Sequence, residues 1–285
     1  MADRDDVLMM NPNQEEQDSR RILQILLTTF VLFVANGFAF FFASRLIHLH
    51  TASSLSNAIA ARFVFLIPFC ALGMWASGTK ASELCSRPRL SDLTWGSMGP
   101  FALLAVFAVA WGAGGLVVSP GFGDAPAIGE RWTLANHCFA ALSEELVFRV
   151  ALGGLLLRVL PWNVAIGCQA LAFGLVHAGN PHVGFWALLN TVLAGVALGM
   201  VYAPRGSAGR YLLAAVLWHA GWNWTMDRVL GLAVSGNRAG SGAVLESLPV
   251  DAWWSGGDYG LEGGIACTLV LCVYLAANGW RAKTT

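Results

Sequence analysis

The chain has 285 residues, of which 56% are apolar and only 12% charged, about half the roughly 25% charge of soluble domains. Seventeen basic and seventeen acidic side chains balance, so no basic field exists to attract nucleic acid. With a mean hydropathy of +0.59, the composition excludes a soluble globular domain and a disordered chain, and predicts an all-α, polytopic transmembrane bundle of about eight helices.

In chain order, residues 1–21 form a polar tail carrying Asp3, Asp5, Asp6, Glu15, Glu16 and Asp18. The first apolar run, 22–44, follows Arg20-Arg21 and is too long for a signal-peptide core, so it reads as a retained anchor. Further spans are predicted at 58–76, 101–118, 134–160, 164–178, 183–203, 211–226 and 261–279. Pro120, Pro161, Pro181 and Pro204 punctuate their ends, as expected of a residue that breaks helices. Three parts result: the tail (1–21), N-terminal membrane helices (22–120) and a catalytic membrane core (130–280). The segment 231–260, rich in Gly and Ser, is expected to be an outside loop that partly returns to the membrane. Trp132, Trp162, Trp222, Trp224 and Trp280 lie near span ends, where an interfacial belt is expected. The cysteines lie mostly in apolar runs without a C-x-x-C pair, and read as small buried hydrophobes. With the N-terminus inside, most Lys and Arg fall on the inner side, so both termini are expected to be cytoplasmic.

Ionisable side chains inside a span are costly and usually functional. The fourth predicted span carries Ser143-Glu144-Glu145-Leu146-Val147-Phe148-Arg149. Glu145 and Arg149 are four apart, in the favourable order for an ion pair. Glu144 is rotated by about 100° from Glu145, has no such partner and must look toward another helix. The fifth span ends Phe173-Gly174-Leu175-Val176-His177, and the seventh holds His219-Ala220-Gly221-Trp222-Asn223. The i, i+4 spacing places Phe173 with His177, and His219 with Asn223, on one face each.

These residue types suit peptide hydrolysis, which needs an activated water and donors for the developing oxyanion. Glu144 could take the proton from a water held by His177, and His219 and Asn223 could donate to the oxyanion. The same Glu144, His177 and His219 could instead hold a zinc ion with an open position. Residue types alone leave both mechanisms open. The motif His-Glu-x-x-His is absent, which excludes the ordinary zincin arrangement. His137 shares the face of Glu144 about two turns away and could line the entry path, but is read first as a core hydrogen-bonding residue. Glu262 could face the mouth of the site but is read first as a charge at a helix N-terminus, and Asn190 is read as an interhelical bond.

Glu-Glu-x-x-x-Arg, Phe-x-x-x-His and His-x-x-x-Asn, in this order on successive membrane helices, resemble the CAAX-protease and bacteriocin-processing family. Asn180-Pro181, the run from Leu193 to Tyr202, Ser235-Gly236, and Gly256-Gly257 with Glu262-Gly263-Gly264 add to the similarity, which covers about residues 130–270. The resemblance implies an intramembrane endopeptidase with Glu144 as base, His177 assisting it, and His219 and Asn223 stabilising the oxyanion. Glu145, Arg149 and Phe173 would support them. Metal-dependent and glutamate-only mechanisms both fit such a family; the expectation here is no cofactor, with zinc on Glu144, His177 and His219 as the alternative. The implied partners are a membrane-anchored or lipidated polypeptide and the bilayer, in a bacterial plasma membrane. A prenylated cysteine is not implied for a bacterial relative, and the predicted topology opens the site to the non-cytoplasmic side. Two rival readings are a non-catalytic binding or immunity protein of the same fold and a proton-relaying transporter.

Overall fold

The computed structural model describes residues 90–121, 133–205, 210–237 and 244–279. All belong to one compact unit, Cys70–Thr285. The tail and the predicted spans 22–44 and 58–76 lie outside the described residues, as do Trp132 and Trp280.

The described architecture is mostly helical. Helix α1 (Leu90–Gly112) is followed by strand β1 (Leu116–Pro120). Helix α2 (Thr133–Glu145) runs without a break into a π-helical segment, Leu146–Gly153, and then into α3 (Gly154–Val159). Next come α4 (Trp162–Val176), a 3-10 turn at His177–Gly179, α5 (Phe185–Tyr202) and α6 (Leu212–Trp224). A π turn at Thr225–Val229 closes α6. Strand β2 (Leu245–Pro249), the short helix α7 (Ala252–Ser255) and two 3-10 turns lead to α8 (Ile265–Gly279).

Helices α1 and α5 are long and apolar enough to cross a membrane. Phe101 on α1, Phe185 on α5 and Val273 on α8 are each about 70% exposed. In water such faces would be an unburied cost; hydrocarbon removes it.

Three expectations change here. The predicted span 101–118 begins eleven residues too late and runs past the helix end, because Gly114, at φ +77, turns the chain into β1. Pro100 lies inside α1 instead of before it, a position tolerated where a neighbouring helix packs closely. Within the predicted loop 231–260, β2 pairs antiparallel with β1, Leu116 opposite Pro249 and Pro120 opposite Leu245, so the described fold is not purely helical.

Close helix crossings position the site. A Cβ at Gly99 would lie 2.1 Å from the Trp218 carbonyl oxygen, and one at Gly221 would lie 2.9 Å from the Pro100 ring. The backbones of α1 and α6 therefore touch where small residues permit, as in membrane helix pairs. Helices α4 and α5 meet in the same way. Gly174 faces Val192, Gly195 faces Ala170, and the buried Gln169 donates from Nε2 to the Gly195 oxygen (2.9 Å). Asn190 bonds between elements as expected. Its Nδ2 donates to the oxygens of Glu262 (2.7 Å) and Gly264 (2.9 Å), and its Oδ1 accepts from Thr268 Oγ1 (2.7 Å).

Candidate active site

Helices α2 and α6 run antiparallel, and their polar residues meet as two rungs. Glu145 Oε1 lies 2.9 Å from His219 Nδ1, and one step along, His137 Nε2 lies 2.9 Å from Asp227 Oδ2. His137 is thus an interhelical hydrogen-bonding residue. Its partner Asp227, also 3.1 Å from Arg228 Nε, escaped the sequence reading.

The first rung is the more buried. Arg149 Nε lies 3.0 Å from Glu145 Oε2, and both side chains have no solvent exposure. The contact is short but poorly directed for a hydrogen bond, so charge attraction carries it. The guanidinium carbon sits 4.4 Å from the Phe173 ring centroid, a cation–π contact that strengthens away from water. Phe173 also packs edge-on against Phe148 and His219 and touches the His177 ring at 4.8 Å. It is the packing centre of the three motifs, because the π-helical segment holds Phe148 and Arg149 beside α4.

Glu144, on the adjacent face of α2, does turn toward other helices. Its Oε2 lies 4.0 Å from His177 Nε2 and 3.9 Å from His219 Nε2. His177 stands where α4 tightens into a 3-10 turn before Asn180, which is extended (ψ 150°) as the following Pro181 demands. His177 Nδ1 donates to the Phe173 carbonyl oxygen (2.7 Å). A carbonyl only accepts, so Nδ1 carries a proton and Nε2 is the group offered to Glu144. His219 is likewise oriented by Glu145 at Nδ1 and offers Nε2.

Beyond the two histidines lies a cavity of about 30 Å³ whose mostly apolar wall carries the polar groups of His177, His219, Asn223, Ser235 and Glu262, room for about two waters. Glu144, His177 and His219 are thus brought together, and Asn223 lines the same cavity as the two histidines, which Glu144 does not line.

Two assignments are corrected. Trp222 is 3% exposed and stacks on Trp218 at 5.2 Å, so it belongs to the core and not to an interfacial belt. Glu262 faces the cavity, the alternative to a helix-terminus charge. Its Oε1 accepts from Trp222 Nε1 (3.0 Å), and its Oε2 from Ser235 N (2.9 Å) and Ser235 Oγ (2.8 Å). The only sequence signal for this was Glu262 itself, an acid at the start of an apolar run. Cys168 and Cys272 are exposed, while Cys267 is buried as expected.

Residues 131–225 match the family model described as type II CAAX prenyl endopeptidase Rce1-like. Over this third of the chain the protein is similar to the CAAX-protease family. No curated protein matches the chain. The matched segment contains Glu144, Glu145, Arg149, Phe173, His177, His219 and Asn223, whereas Ser235 and Glu262 lie beyond it. The family is one of endopeptidases that act on prenylated, membrane-anchored proteins, and the apolar helices α1 and α5 agree with a membrane setting.

Proposed function

We propose that the chain is an intramembrane endopeptidase that hydrolyses a peptide bond in a membrane-anchored or lipidated polypeptide. The observation that carries this is the placement of Glu144 Oε2 about equally far from His177 Nε2 and His219 Nε2, with each Nδ1 already committed. Separations of 3.9–4.0 Å are too long for direct hydrogen bonds, leaving a water or substrate atom to complete them.

Glu144 takes a proton from a water that His177 orients, and the water oxygen attacks the scissile carbonyl carbon. The negative oxygen that forms accepts hydrogen bonds from His219 Nε2–H and the Asn223 amide. Donation by His219 requires the doubly protonated ring, whose two N–H groups then face carboxylates, Glu145 at 2.9 Å and Glu144 at 3.9 Å. The proton held by Glu144 passes to the leaving nitrogen as the C–N bond breaks. Glu145, Arg149 and Phe173 orient the two histidines. The catalytic core comprises residues 130–280, and the membrane is a bacterial plasma membrane with both termini cytoplasmic.

The donor types of Glu144, His177 and His219 suit zinc, but their spacing does not. Two ligands about 2.0 Å from a tetrahedral ion stand about 3.3 Å apart, closer than the separations here. Activity is therefore expected to survive prolonged treatment with a strong chelator. Loss on chelation with recovery on adding zinc would replace the glutamate-only mechanism.

The function is tested by comparing intact masses of small membrane proteins and released peptides from hosts carrying the native chain or Glu144→Ala. Specific proteins should lose a terminal fragment only with the native chain. Identical profiles, with both chains inserted in the membrane, would favour a non-catalytic binding or immunity protein.

A further inference from the structure

Glu262 is the acidic residue of the cavity beyond the histidines, and three donors converge on it. Two belong to Ser235, whose backbone N–H and hydroxyl both reach Oε2, and the third is the indole N–H of Trp222 on Oε1. Ser235 sits at φ +48 and Gly236 at φ +80, and Val234 and Asn237 exchange both backbone hydrogen bonds (2.9 Å each). Positive φ at both central positions is the requirement of a type I′ turn, where a serine is costly and a glycine is not. Gly236 has a second reason to lack a side chain, since a Cβ there would lie 2.0 Å from the Pro181 oxygen. The turn is thus pinned between Pro181, just after His177, and the Glu262 carboxylate. Strain of this kind persists only where its surroundings over-determine it, and the Glu262 carboxylate supplies two of the bonds that do so.

The third bond reaches α6. Trp222 immediately precedes Asn223 and follows His219 by one helical turn, and its ring is stacked on Trp218. Glu262 therefore ties together the helix bearing His219 and Asn223 and the turn that faces His177, from outside the family-matched segment.

We propose that Glu262 is a positioning residue of the site: with Trp222 and Ser235 it forms a clamp that fixes where Asn223 and His219 present their donors. Its effect on rate rests on the endopeptidase reading; the clamp itself does not. Because oxyanion donors act in the transition state, loosening them lowers kcat and leaves KM nearly unchanged. A misplacement of about 1 Å can cost on the order of a hundredfold.

The test uses the full chain in lipid vesicles and a quenched fluorogenic peptide bearing a farnesylated cysteine. Glu262→Ala should lower kcat about ten- to hundredfold with KM within about threefold. Glu262→Gln keeps the size and a carbonyl acceptor and should recover part of that loss, which also covers the case of an alanine variant that fails to fold. Ser235→Gly suits the positive φ and keeps the backbone N–H, so it should lose less than Glu262→Ala. Backbone hydrogen exchange over 231–237 should speed up in the Glu262 variants and not in Glu144→Ala. Wild-type kcat in both Glu262 variants, while Glu144→Ala is inactive, overturns the proposal. If the wild type and Glu144→Ala behave alike on the peptide, the endopeptidase reading fails for that substrate class. Exchange then decides the clamp alone: acceleration upholds it, and unchanged protection overturns it.

Discussion

Replacing Glu144 by glutamine is expected to lower kcat by about 10³–10⁴ while leaving substrate affinity and membrane insertion near normal. The substitution keeps the size of the side chain and one carbonyl oxygen but removes the only group in the proposed mechanism that accepts the proton of water. General base catalysis is worth typically 10²–10⁴, and here the same carboxylate also returns the proton to the leaving nitrogen, so the upper range applies. Its side chain is 37% exposed, and Glu144 makes no hydrogen bond on which the packing of α2 depends, so folding should be spared. Single-turnover cleavage of the polypeptide found by mass comparison is the measurement. His177→Ala should cost a comparable factor, and the double variant little more than either alone, because groups acting as a unit are not additive. Wild-type turnover by a purified Glu144→Gln chain would sink the mechanism.

The second large effect is on stability. Arg149→Ala should destabilise the chain by about 3–5 kcal/mol, the usual result of removing one partner of a buried ion pair. The guanidinium is fully enclosed between Glu145 and the Phe173 ring. Its loss leaves Glu145 paired only with His219 and opens a void against Phe173. Yield of folded protein and thermal unfolding in detergent report the change. Arg149→Met with Glu145→Gln, which removes both charges and fills the space, should regain part of the stability, but not activity, since His219 loses the carboxylate that orients it. Normal yield for Arg149→Ala with cleavage abolished would instead place Arg149 in the chemistry.

The candidate residues could be picked out in the sequence because each motif is local, although their meeting across helices is not. Four-residue spacings placed Glu145 with Arg149, and Phe173 with His177, and the absence of a local partner for Glu144 pointed it across to the histidines. What the sequence did not disclose depends on distant partners. The indole of Trp222 resembles any span-end tryptophan until Glu262, forty residues on, is found to accept from it. Asp227 and His137, ninety apart, become a pair only through the antiparallel packing of α2 and α6. Strand β1 was absorbed into an apolar run because Leu116-Val117-Val118 is as hydrophobic as a helix end. Only pairing with β2, more than a hundred residues later, shows its conformation.

The π-helical segment between α2 and α3 adds a constraint of a different kind. A π turn closes its hydrogen bonds over one residue more than an α turn, so Leu146–Gly153 is where this helix holds a residue that a regular helix would not. Removing a single residue there could restore ordinary α-helical bonding without losing a hydrogen-bonded turn. It would still rotate one side of the helix against the other by about 100°. The glutamates would then be aimed correctly and α3 with the Pro161 corner would not, or the reverse. At this point the number of residues in the chain, more than their chemical identity, decides whether the halves of the helix can serve the bundle together.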